Sequence, residues 1–64
     1  MKRLKELRQE KELLQKDIAK IINVSAKAIS QYERGERQPD FQTLKKMCDF
    51  FGVTADFLLG FEDY

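Results

Sequence analysis

The chain has 64 residues, one cysteine, no histidine and a formal net charge of +1 at pH 7. A domain of this length buries only about 60% of the surface of its unfolded chain, which leaves little room for an enclosed catalytic pocket. One cysteine excludes an intrachain disulfide and a cysteine zinc site, and the missing histidine removes the commonest general base and metal ligand.

Helical periodicity without glycine characterises the first half of the chain. It predicts a first helix over roughly residues 2–11, with Leu4 and Leu7 on one stripe, and a second helix over roughly residues 15–22. The inward residues of the second helix are expected to be Ile18, Ala19 and Ile22. Asn23 can end this helix because asparagine tolerates the left-handed conformation better than most residues.

A third helix is predicted over residues 26–33, between Ser25 and Gly35. Ser25 is a favourable N-cap, and Gly35 can supply the left-handed residue that stops the helix. Ile29 and Tyr32 are three residues apart and therefore share one face. We expect that face to point into the core.

Two more helices are predicted in the second half, over residues 41–51 after Asp40 and over residues 55–59 after Thr54. Asp40 and Thr54 are favourable N-caps, and a glycine directly follows each helix. The buried stripe of the longer helix is expected to consist of Phe41, Leu44, Met47, Cys48 and Phe51. Alternation with a period of two is absent, so the sequence predicts an all-α domain of five short helices and no sheet.

Residues 15–34, QKDIAKIINVSAKAISQYER, combine two of these helices into one unit. Ala19 is small enough to let the third helix cross the second closely. The three-residue turn from Asn23 to Ser25 fixes a steep crossing angle, as in a helix-turn-helix.

This unit and the segment that continues it, SQYERGERQPDFQTLKKMCDFFGVTADFLLG, resemble the Cro/C1-type (XRE) helix-turn-helix family over about residues 4–60. The resemblance implies a single compact five-helix, lambda-repressor-like domain over residues 1–64. It also implies a sequence-specific transcriptional regulator, a repressor, whose partner is a double-stranded DNA operator.

The same resemblance implies that residues 26–33 form a recognition helix in the major groove. If Ile29 and Tyr32 turn inward, Lys27 and Gln31 face outward. Lysine can donate to guanine O6 or N7, and glutamine can form a bidentate pair with adenine. The residues expected to contact bases are Ala26, Lys27, Ser30 and Gln31.

Two small residues of this helix, Ala28 and Ser30, are expected to let its backbone approach the groove wall closely. The alternative for the whole helix is an amphipathic surface helix whose polar residues have no role in binding.

Phosphate contacts are expected at helix starts and in the basic flanks. Gln15 begins the second helix, where backbone N–H groups favour an anion, and the matching glutamine of the family contacts the DNA backbone. The further expected phosphate contacts are Lys16, Arg34, Arg37 and Gln38.

The distribution of charge along the chain supports DNA binding by the first part of the sequence. Residues 1–46 carry a net charge of +5, whereas residues 47–64 contain four acids and no base. A basic front orients a protein toward a polyanion.

Two positions have structural rather than binding roles. The resemblance implies that Arg8 and Glu33 form a partly buried ion pair joining the first helix to the third; a solvent-exposed pair is the alternative. Leu14 stands where the family usually has a serine or threonine cap, so the start of the second helix is expected to be less stable by about 1 kcal/mol.

Four aromatic residues, Phe50, Phe57, Phe61 and Tyr64, lie within the last fifteen residues. A core this small cannot bury all of them, and an exposed apolar patch indicates a partner surface. The resemblance implies a homodimer through Phe57 and Phe61 that binds a palindromic operator with its recognition helices about 34–36 Å apart. The alternatives are a protein-interaction module that uses this aromatic face, or the DNA-binding part of a longer regulator.

No enzymatic activity, cofactor, metal or small-molecule substrate is expected, because Ser25 and Ser30 have no histidine partner and the acids lack the spacing of a calcium loop. The charged N-terminus lacks the apolar run of a signal peptide, and no apolar stretch approaches the ~20 residues that span a bilayer. We therefore expect a cytoplasmic protein without a membrane partner.

Overall fold

Five α-helices make up the secondary structure of residues 1–61, the part of the chain that the computed structural model describes. They are α1 (Leu4–Glu10), α2 (Gln15–Ile22), α3 (Ala26–Glu33), α4 (Phe41–Phe51) and α5 (Ala55–Leu59), and no strand occurs within this range. The all-α, five-helix prediction is confirmed. Tyr64, the last of the predicted cluster of aromatics, lies outside the described residues.

The first helix is shorter than the predicted 2–11, because the chain turns sharply directly after it. Lys11 is the C-cap of α1, and Glu12 takes a left-handed conformation with a φ of 57°. The backbone N–H of Leu13 then donates to the carbonyl of Arg8 at 3.1 Å, which closes the turn. No glycine or asparagine marks this left-handed position in the sequence.

All five helices contribute to one hydrophobic core. Each supplies one side chain with no exposed surface: Leu4, Ile18, Ile29, Met47 and Leu58. Full burial of a large aliphatic side chain contributes about 1.5–3 kcal/mol to the free energy of unfolding. Packing of these five side chains therefore stabilises helices that would be only marginally stable in isolation.

Three of the predicted N-caps form as expected. The hydroxyl of Ser25 accepts from the Ala28 N–H at 3.0 Å, and that of Thr54 accepts from the Phe57 N–H at 3.1 Å. At the start of α4 the Asp40 carboxylate accepts from the Thr43 N–H at 2.8 Å, and this bond lowers the pKa of Asp40 below its ordinary value. The starts of α3, α4 and α5 are therefore fixed by local side-chain bonds.

The start of α2 has only one of the two hydrogen bonds of a capping box. Leu14 occupies the N-cap position with 57% of its surface exposed, and its side chain has no acceptor. Its backbone N–H donates to Oδ2 of Asp17 at 2.8 Å, which is half of a capping box. The backbone N–H of Asp17 donates only to the Leu14 carbonyl, at 3.0 Å.

We expect Leu14→Ser to raise the free energy of unfolding by about 1 kcal/mol, because a serine hydroxyl can accept from the Asp17 N–H and complete the capping box. Urea denaturation followed by far-UV circular dichroism measures the change. Ile21→Ser is the matched control, since Ile21 is also half exposed but lies inside α2, where serine caps nothing. Equal stabilities of the two variants would contradict the expectation.

Phe41 is not part of the buried stripe of α4, as the sequence pattern predicted, but is 80% exposed. It lies about 120° around the helix from Met47, the fully buried residue of α4, at 3.6 residues per turn. As the first residue of the helix, it also has no preceding turn to cover it. The partly buried members of the stripe are Leu44, Cys48 and Phe51.

Candidate nucleic-acid interface

The second and third helices pack against each other through a tight turn. Ala19 is 4% exposed, and its carbonyl accepts from the N–H of Val24 at 2.9 Å. Asn23 takes the left-handed conformation, with φ 63° and ψ 50°, at the C-cap of α2. The predicted use of a small residue and an asparagine at the turn is therefore confirmed, and it fixes how α3 lies across α2.

One side of α3 is buried and the other is open to solvent. Ile29 and Tyr32 are 0% and 3% exposed, whereas Lys27 is exposed and Gln31 is half-buried. Lys27 and Gln31 are four residues apart and therefore lie side by side on the helix surface. Of the other two residues expected to contact bases, Ala26 is exposed and Ser30 is half-buried.

Ala28 does not lie on this outer face. It is 4% exposed and belongs to the core together with Ile29 and Tyr32. The prediction that its small side chain lets the backbone approach a groove wall is wrong, because the size of Ala28 serves the packing of α3 on the rest of the domain.

Ser30 and Arg34 are joined to each other and to an acid that the sequence pattern did not single out. Nη1 of Arg34 donates to the Ser30 hydroxyl at 2.6 Å. Its Nε and Nη2 donate to the two carboxylate oxygens of Glu36 at 3.0 and 2.9 Å. This pairing raises the pKa of Arg34 and lowers that of Glu36. Glu36 lies between two arginines of the sequence, Arg34 and Arg37.

Glu33 ties three helices together beneath the same surface. Nε and Nη2 of Arg8 donate to its two carboxylate oxygens at 2.6 and 3.2 Å, and the two side chains are only 10% and 4% exposed. Arg8 also donates through Nη1 to the carbonyl of Leu13 at 2.8 Å. The pair is thus buried and hydrogen-bonded, and the solvent-exposed alternative is excluded.

Gln15 is the third partner of Glu33. Its Nε2 donates to Oε1 of Glu33 at 2.9 Å. The sequence predicts a phosphate contact for Gln15 at the start of α2. Its amide group donates one N–H to Glu33, and the second N–H of the same amide remains for an external acceptor.

The remaining residues expected at phosphates lie in exposed positions around α3. Lys16 is in the first turn of α2, and Arg37 and Gln38 lie in the connection between α3 and α4. The guanidinium carbon of Arg37 is 5.7 Å from the centre of the Tyr32 ring, a distance at which a cation and an aromatic face attract. This stacking holds Arg37 close to the C-terminal end of α3.

The aromatic C-terminal region divides into partly covered and open side chains. Phe57 is half-buried, with the guanidinium carbon of Arg3 5.1 Å from its ring centre. Phe61 is 80% exposed. Beside Phe57, an open groove with a volume of about 870 Å³ runs between α1, α4 and α5. Its apolar lining consists of Leu7, Cys48, Phe51 and Val53, and its acidic lining consists of Glu10 and Asp49. Burial raises the pKa of the Cys48 thiol.

Within residues 1–61 no group of three or more histidine, cysteine, aspartate or glutamate side chains is arranged to hold a metal ion. In the same range no helix is long and apolar enough to cross a membrane.

A family model described as helix-turn-helix matches residues 4–58. The chain is 44% identical over 59 residues to the HTH-type transcriptional regulator ImmR of Bacillus subtilis, covering 92% of this chain and 46% of that protein. It is 43% identical over 63 residues to the HTH-type transcriptional regulator DdrOP3 of Deinococcus deserti, covering 97% and 49%. The chain therefore belongs to the helix-turn-helix family, and the Cro/C1-type resemblance is confirmed.

The fold is also that of a solved relative. A transcriptional regulator from Listeria innocua superposes with a TM-score of 0.84 at 30% sequence identity, covering 95% of this chain and 57% of that one. The chain spans about half the length of the two curated relatives named above.

Proposed function

We propose that this protein is a sequence-specific DNA-binding transcriptional regulator that reads the major groove with α3. The observation that carries the proposal is the outward pair of Lys27 and Gln31 on a helix whose opposite face is fully buried. Membership of the helix-turn-helix family supports it. The proposal is for a binding protein of the cytoplasm, with no cofactor and no catalytic step.

Base recognition follows from the donors and acceptors on the outer face of α3. Lys27 donates to O6 or N7 of guanine, and Gln31 pairs with N6 and N7 of adenine. Ala26 places a methyl group where it can contact thymine. Ser30 already accepts a hydrogen bond from Arg34, so its own O–H is left to donate to a base acceptor.

Phosphate contacts would fix the domain on the duplex. One phosphate contact is assigned to the first backbone N–H groups of α2 together with the remaining amide N–H of Gln15. Further contacts are proposed from Lys16, Arg34, Arg37 and Gln38. Each phosphate that is neutralised steepens the dependence of log K on log salt by about 0.9.

We further propose repression rather than activation, because a small domain in the groove blocks other proteins from the same DNA without needing any second contact. The operator is proposed to be palindromic and bound by a homodimer. Phe61 is the strongest candidate for the dimer contact, since it is 80% exposed, whereas Phe57 is partly covered by Arg3.

Sedimentation at micromolar concentration is expected to give a dimer for the unmodified chain and a monomer for Phe61→Ser, because the serine removes the exposed apolar contact. Phe41→Ser is the matched control: Phe41 is equally exposed but lies at the start of α4, and its replacement should leave the dimer intact. A monomer for the unmodified chain would rule out the dimer.

The groove beside Phe57 favours a second candidate function, in which the same fold binds another protein through its aromatic face. Because the chain spans about half of its curated relatives, it could equally serve as the DNA-binding part of a longer regulator. The protein-binding function differs from the main proposal in whether the isolated chain selects DNA.

The test is selection of bound duplexes from random DNA, followed by sequencing. We expect a recurrent half-site of a few base pairs, repeated as a palindrome with centres one helical turn apart. Recovery of sequences no different from the starting pool would reject sequence-specific binding and favour the protein-interaction function.

A further inference from the structure

The candidate DNA surface contains its own competitor for phosphate. The planar guanidinium of Arg34 is held in a fork by both carboxylate oxygens of Glu36, at 3.0 and 2.9 Å, and by the Ser30 hydroxyl at 2.6 Å. A carboxylate and a phosphate present the same two-oxygen acceptor geometry to arginine. Glu36 therefore presents to Arg34 the same pair of acceptor oxygens that a DNA phosphate would present.

We propose that Glu36 acts as an internal phosphate mimic that limits the affinity of this domain for DNA by holding Arg34 in the free protein. The inference rests on the proposed DNA-binding function and adds a determinant of its strength. When DNA binds, Arg34 has to leave Glu36 for a phosphate, so binding has to break the Arg34–Glu36 pair.

The location of the pair makes this competition effective. Arg34 directly follows α3 and lies one helical turn after Ser30, on the side of the helix that carries Gln31. The side chains of Arg34 and Glu36 are 57% and 54% exposed, so the exchange of partners needs no opening of the core. An exposed ion pair is weak, which allows the exchange but still costs affinity.

The pair acts on all DNA alike. Phosphate contacts carry no sequence information, so holding Arg34 back weakens binding to an operator and to unrelated DNA by the same factor. The base contacts of Lys27 and Gln31 are unaffected. Glu36 thus sets how tightly the domain adheres to DNA without setting which sequence it selects.

Glu36→Gln tests the proposal, because glutamine keeps the size of the side chain and removes its charge. We expect dissociation constants about three- to fivefold lower on both a selected duplex and an unrelated duplex at low salt. The log–log salt slope should steepen by less than about 0.9, the value of one full phosphate contact, because salt no longer weakens an ion pair that competes with binding. Fluorescence anisotropy with labelled duplexes over a series of salt concentrations measures both quantities.

Two controls separate this mechanism from a general change of charge. Glu6→Gln removes an equally exposed glutamate from an arginine pair on α1, the Arg3–Glu6 pair at 3.3 Å, and should have a smaller effect. In an Arg34→Gln background, Glu36→Gln should no longer tighten binding. Circular dichroism checks that each variant remains folded.

Weaker or unchanged binding by Glu36→Gln would overturn the proposal, because it would mean that Glu36 positions Arg34 for DNA or has no part in binding. Equal tightening by Glu6→Gln, or tightening that persists without Arg34, would also overturn it. Failure of the unmodified chain to bind any duplex contradicts the proposed function itself, and the inference with it.

Discussion

Replacing Glu33 with alanine is expected to lower the free energy of unfolding by about 3–5 kcal/mol. Glu33 accepts from both Arg8 and Gln15, and removing it leaves the Arg8 guanidinium buried without a counter-charge. A domain of this length has a total stability of only about 3–10 kcal/mol. Much of the variant should therefore be unfolded at room temperature.

Urea denaturation followed by circular dichroism measures this loss, because the chain has no tryptophan for fluorescence. A double variant, Arg8→Met with Glu33→Met, is the informative control, since it removes both charges and fills the space with flexible apolar side chains. It should recover most of the lost stability. A Glu33→Ala variant as stable as the unmodified chain would show that the pair does not hold α1 to α3.

Replacing Lys27 and Gln31 together with alanine is expected to weaken binding to the selected operator by between about 30-fold and about 20,000-fold, because each base contact is worth about 1–3 kcal/mol. Binding to unrelated DNA should fall much less, since it depends on phosphate contacts. Stability should change little, as neither side chain belongs to the core.

The control for this variant is a pair of the same residue types at the same spacing. Lys5 and Gln9 are both exposed on α1, four residues apart. The double alanine variant of these two should keep operator affinity within about twofold, apart from the general effect of one lost charge. Equal losses for both double variants would remove the assignment of α3 as the reading helix.

The helices and the outward side of α3 could be predicted because they depend on local patterns. The caps at Ser25, Asp40 and Thr54 and the periodicity of the apolar residues are short-range signals, and the structure forms them as expected. Burial of Ile29 and Tyr32 follows from their spacing, and it fixes which side of α3 faces outward.

The errors concern features that depend on the neighbours of a residue in space. Phe41 is spaced like a member of the stripe relative to Leu44 and Cys48, but it lies about 120° around α4 from the fully buried Met47 and is 80% exposed. The small size of Ala28 predicts a close approach of the α3 backbone to a groove wall, whereas its side chain is buried in the core.

Side-chain partners across the fold could not be predicted from the sequence either. The bond from Gln15 to Glu33 joins residues 18 positions apart, and nothing in the local sequence indicates it. The fork of Arg34 and Glu36 is local, yet the spacing of two residues has no helical rationale because the chain leaves α3 at Arg34. Both contacts can be recognised only once the three-dimensional positions of the residues are known.

The most direct test of DNA reading by α3 is an amide NMR titration of the protein with a selected duplex. We expect the largest shifts at Lys27 and Gln31, including the side-chain amide of Gln31, and smaller shifts at the start of α2. Largest shifts around Phe57 and Phe61, with α3 unchanged, would contradict the account.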